Sequence, residues 1–169
     1  MLGPKRAKET TRPDVICPET LFMKCGVCGR IIQIFGGDPD DRFMTCCAEF
    51  MQPLEPISPE SLPGFNPDYT ITGGYDDNCI KVEWNTLPEK IYVKWVYLKT
   101  YTGFQMKYIP SEKINNTIFA LAGTDAYVYC DEDPCLECTF LCKRGFEILF
   151  ILSNDILAKL PMNRMKASW

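Results

Sequence analysis

Histidine is missing altogether from this chain of 169 residues. Any metal it binds must be held without imidazole, and oxygen chemistry at an imidazole-held iron is excluded. Long apolar runs are missing too. No stretch of about 18 residues is apolar throughout, so no membrane span is expected. The opening, Met1 to Glu9, has no apolar secretory core, which points to the cytoplasm. Basic charge is not in excess. Lys and Arg total 18 against 22 Asp and Glu, a net charge of -4, which gives no reason to expect a nucleic-acid surface. No internal repeat is visible.

What the chain does have is sulfur. It carries 10 cysteines, and in a cytoplasmic setting these read as metal ligands before disulfides. Hydrophobic residues make up 46% and aromatics 12%, the profile of a globular, β-leaning protein. Cys25-Gly-Val-Cys28 forms a knuckle, a tight turn that aims two sulfurs at one point. Cys46 and Cys47 come after a 17-residue gap. A hairpin that returns this second pair completes a tetrahedron of thiolates around one iron or zinc ion. Neighbouring side chains on a strand point to opposite faces, so Cys46 and Cys47 reach one ion only if the backbone bends between them. Gly26 and Gly29 flank the knuckle and let amides approach the sulfurs. The quartet Cys25, Cys28, Cys46 and Cys47 reads as a rubredoxin-type iron centre or as a zinc staple, and spacing alone does not separate the two.

A second quartet, Cys130, Cys135, Cys138 and Cys142, is packed into 13 residues. Its first three members follow the order of plant-type ferredoxins, but the fourth lies much closer. The readings open here are a second mononuclear thiolate site, a small iron–sulfur cluster, a zinc clip or two local disulfides. Lys143 and Arg144 stand beside it and would offset thiolate charge. Cys79 opens an alternating strand and reads as an apolar filler. Cys17 has no assignment.

Along the chain, residues 1–20 are a polar arm. Residues 21–54 hold short strands around the first quartet, including Arg30 to Phe35 and Arg42 to Cys46. So few residues bury little core, and a metal staple is the usual remedy. Residues 55–66 continue a proline-rich stretch that reads as a stiff linker. Residues 67–153 are all strand: Tyr69 to Thr72, Cys79 to Trp84, Ile91 to Leu98, Phe104 to Ile109, Thr117 to Leu121, Ala126 to Cys130 and Phe146 to Leu152. This pattern predicts a β-sandwich of immunoglobulin type, with Trp84, Trp95, Tyr92, Tyr97 and Phe104 in or near its core. Residues 154–169 are read as a C-terminal tail. A short helix, capped at Ser153 or Asn154, runs to about Leu160, before Pro161. The fold class is mainly β: a small metal-binding unit, then a sandwich.

The knuckle in Met23 to Ile32, with Cys46, Cys47 and the trailing Met51, resembles desulforedoxin and the N-terminal iron domain of desulfoferrodoxins. Ile80 to Val82, Ile91 to Leu98 and Tyr127 to Cys130 resemble the superoxide reductase domain of the same family. The resemblance implies iron in the first site, a redox role and pairing of the N-terminal modules into homodimers. It also implies a catalytic iron held by four histidines and one cysteine. This chain departs there. It has no histidine, Ile91 stands where a ligand would precede the Tyr-Val segment, and the Cys130 to Cys142 cluster replaces the closing hairpin. The expectation is therefore an iron-binding electron-transfer protein with a second metal or iron–sulfur site. It would serve a redox partner protein or act as an accessory subunit of a larger anaerobic redox complex. Superoxide reductase activity is disfavoured.

Overall fold

The computed structural model describes residues 20–36, 44–73, 77–85, 87, 88, 90–126, 128 and 142–162. Among the described residues twelve strands carry the fold, all paired antiparallel. In the N-terminal unit, β1 (Thr20–Lys24) pairs with β2 (Ile31–Phe35) and β5 (Gln52–Pro53). Beside them β3 (Thr45–Cys46) and β4 (Glu49–Phe50) form a small hairpin. The sandwich comes next. β6 (Asp68–Gly73), β7 (Asp77–Glu83) and β10 (Asn116–Ala122) make a 3-stranded sheet. β8 (Val93–Lys99), β9 (Phe104–Tyr108), β11 (Glu147–Leu152) and β12 (Leu157–Pro161) make a 4-stranded sheet in the order β12-β11-β8-β9.

Sequence pattern explains why the units pack together. Strand β11 reads Glu-Ile-Leu-Phe-Ile-Leu, apolar on both faces after its first residue. A strand with a solvated face would alternate. Ile148, Phe150 and Leu152 point into the sandwich core with Val96, Leu98, Ile80 and Phe119. Leu149 and Ile151 point the other way, where they meet Phe22 of β1, Tyr97 and Leu157. Phe22 meets the Tyr97 ring edge-on, with centroids 5.6 Å apart. The small unit thus covers the outer face of the four-stranded sheet and borrows a core it could not build alone.

Three expectations need correction. Residues 154 to 160 are not helical. The Asn154 side chain accepts from the Ile156 amide in a local turn, and Asp155 has φ +62. Asn caps helices and makes such turns by the same chemistry. The chain then enters β12, where Leu157 serves the outer core and Ala158 the inner one. Second, Ala126 ends a 3-10 turn, Gly123–Ala126, rather than opening a strand, and Val128 alone is described before Cys142. Third, the proline-rich stretch is no free spacer. Ile57 exchanges backbone bonds with Leu157 and Lys159, both 2.9 Å, and Phe65 is buried against Phe150. Proline removed donors from this segment, but the amides of Leu54, Ile57, Ser61, Leu62 and Phe65 all donate to backbone carbonyls. Of the aromatics expected in the core, Trp84 and Tyr97 are buried and Trp95 is half-buried, whereas Tyr92 and Phe104 are exposed. Phe104 lies on the outer face of β9, an edge strand. No helix among the described residues is long and apolar enough to cross a membrane.

Candidate metal centre

The knuckle grows out of the β1–β2 hairpin. Lys24 and Ile31 are its last paired residues, and the loop between them carries Cys25 and Cys28. The Cys25 amide donates to the Arg30 carbonyl at 2.9 Å, and the Gly29 amide donates to the Cys25 carbonyl at 3.0 Å. Gly29 has φ +69, a conformation glycine adopts at little cost. Cys25 is buried on a floor of Met23 and Met51, with Ile32 and Ile34 packed alongside. Cys28 is exposed.

The β3–β4 hairpin brings the second pair. Thr45 opposes Phe50 and Cys46 opposes Glu49, so Cys47 and Ala48 form its two-residue loop. Their φ values are +53 and +62, the positive signs that a type I′ turn requires. This is the bend that the adjacent cysteines need. Cys47 enters the left-handed region, and its sulfur turns back to lie 3.9 Å from Cys46 Sγ. Asn-Gly would adopt such a turn readily, whereas Cys-Ala does so at a steric cost.

The four sulfurs suit one tetrahedral ion. Thiolates at about 2.3 Å from a common metal stand about 3.8 Å apart. Here Cys28 and Cys46 sulfurs are 3.7 Å apart, and all four sulfurs lie within 4.8 Å of one another. The donor set is all sulfur, as iron and zinc both accept. Electrostatics agree with a cation site. The Arg30 amide and the neighbouring thiols that hydrogen-bond to Cys28 bring its pKa down to about 7. Cys47 is pushed up to about 12, chiefly through its hydrogen bond to Cys28, and Cys46 is raised for the same reason. The Cys28 thiolate thus forms readily while Cys46 and Cys47 are held toward their protonated forms, because uncompensated anions repel in so small a space. Arg30 contributes a second time: its Nη1 lies 3.9 Å from Cys46 Sγ.

The second quartet falls mostly outside the described residues. Cys130, Cys135 and Cys138 lie there, while Cys142 is described and buried at the edge of the sandwich core. Lys143 beside it is fully buried. Its ammonium donates to the Ala126 carbonyl at 2.5 Å and stands 5.7 Å from the centroid of the Phe146 ring. Cys79 is half-buried on β7. Two residues near the first quartet carried no sequence signal. Arg30 read only as a strand residue. Asp155, remote in sequence, forms an ion pair with Lys24 at 2.9 Å.

No protein-family model matches the chain, and no curated protein matches it in sequence. Its fold is similar to that of the superoxide reductase from Treponema pallidum, with a TM-score of 0.56 at 15% identity over 86% of this chain and 99% of that one. At that identity the likeness concerns the fold, a β-sandwich carrying a small β unit.

Proposed function

We propose that this protein is a one-electron transfer protein whose iron is held by Cys25, Cys28, Cys46 and Cys47. The observation that carries the reading is the sulfur spacing of 3.7 and 3.9 Å, close to the edge of a tetrahedral thiolate cage. The likeness in fold to a superoxide reductase favours iron over zinc. Bound iron would supply a ferric–ferrous couple that needs little ligand movement. Cys25 anchors the cage from its buried side. Cys28 and Cys47 face solvent and offer the edge through which an electron passes. Arg30 offsets part of the thiolate charge. Val27 and Phe50, 60% and 61% exposed, flank that edge and suit a redox protein partner or a larger complex.

Superoxide reduction is not carried over from the structural neighbour, because this sequence has no histidine to hold an open iron. Cys130, Cys135, Cys138 and Cys142 are read as a second metal or iron–sulfur site. Iron and sulfide analysis of anaerobically purified protein, with electron paramagnetic resonance, tests both sites. The expected result is high-spin ferric iron in a rubredoxin-like environment. Zinc alone in the first quartet would overturn the iron reading, and sulfide would mark the second site as a cluster.

A further inference from the structure

The residue that leads into the metal knuckle meets a carboxylate, and that carboxylate belongs to the sandwich. Lys24 precedes Cys25, and its Nζ lies 2.9 Å from Asp155 Oδ2. Gly29 comes directly after Cys28, and a Cβ there would stand 4.0 Å from the same oxygen. Asp155 Oδ1 faces Lys94 Nζ of β8 at 3.6 Å. The carboxylate is partly withdrawn from solvent, with its side chain 21% exposed. It sits at φ +62 in the β11–β12 turn, and its amide donates to the Leu152 carbonyl at 2.9 Å. That turn is tied to β11, the strand buried on both faces. The carboxylate is therefore borne by a turn anchored to a buried strand.

We infer that Asp155 is a positioning residue for the metal site: through Lys24 it ties the entry to the Cys25–Cys28 knuckle to the sandwich. The inference rests on the proposed metal centre and extends it. Outer contacts that hold ligands in place govern metal affinity, and their removal commonly costs about 10- to 100-fold. Asp155 is also an anion behind the knuckle, and an anion near a redox centre disfavours the reduced, more negative state.

The test uses the full chain loaded with its metal and measures the rate of metal transfer to a chromophoric chelator. Asp155→Asn should release metal about tenfold faster or more. Lys24→Gln should do the same, and the double variant should be no faster than either single one, since both break one link. With iron bound, Asp155→Asn should also raise the reduction potential, and Asp155→Glu, which keeps the charge, should restore it toward wild type. Wild-type release rates in Asp155→Asn, or additive effects in the double variant, would overturn the inference while leaving the metal centre standing. If Asp155→Asn does not fold, Lys24→Gln alone decides, with an unchanged release rate counting against the link. A wild-type protein that takes up no metal would remove the proposed centre and this inference together.

Discussion

At the scale of single residues, the Cys47-Ala48 turn is where local preference and the site conflict. Ala48 is exposed and holds φ +62, and a left-handed alanine costs about 1–2 kcal/mol. Ala48→Gly should therefore stabilise the metal-free protein by about 1 kcal/mol in chemical denaturation, with metal stoichiometry unchanged. The thiols make a second prediction. Cys46 and Cys47 hold their protons at neutral pH, and Cys28, near 7, is about half ionised there. Metal uptake at the proposed centre would displace these protons, so apparent affinity should rise with pH and fall as acid competes. Between pH 6 and 8 it should climb by at least about two decades per pH unit, matched by acid release on metal addition. The quartet was legible in the sequence because cysteine spacing expresses local turn geometry. Asp155 was not, because nothing about an aspartate in a turn announces a lysine 131 positions earlier.

At the scale of elements, strand identity was legible wherever burial left a pattern. Tyr69 to Thr72 falls on a strand, and so do Cys79 to Trp84 and Phe104 to Ile109 except for Trp84 and Ile109, which lie just past the ends of β7 and β9. The helix expected after Ser153 marks the limit of pattern. Five residues of Leu-Ala-Lys-Leu-Pro fit either period, and pairing with β11 decides in favour of the strand. β11 teaches the opposite lesson. Its unbroken apolar run signals two covered faces, but the second cover comes from β1, far away in sequence. Phe22 is the side chain that makes this cover. Phe22→Ala should cost about 3–5 kcal/mol, read as a lower melting temperature for the whole molecule. A loss confined to the metal unit, with the sandwich melting unchanged, would contradict the shared core.

At the scale of the whole molecule, composition suggests a small unit too short of core to stand without a metal, joined by a stiff spacer. The structure spreads the burden differently. Phe22 lies in one core with Leu149 and Ile151, Ile57 bridges to Ala158, and Asp155 reaches back to Lys24. These ties join residues far apart in the chain, which periodicity cannot reveal. They also bear on the proposed centre in its metal-free form. A free-standing knuckle domain would unravel and scatter its ligands. Here the hairpins are pinned to a folded neighbour, so the four thiols are expected to stay assembled with no ion between them.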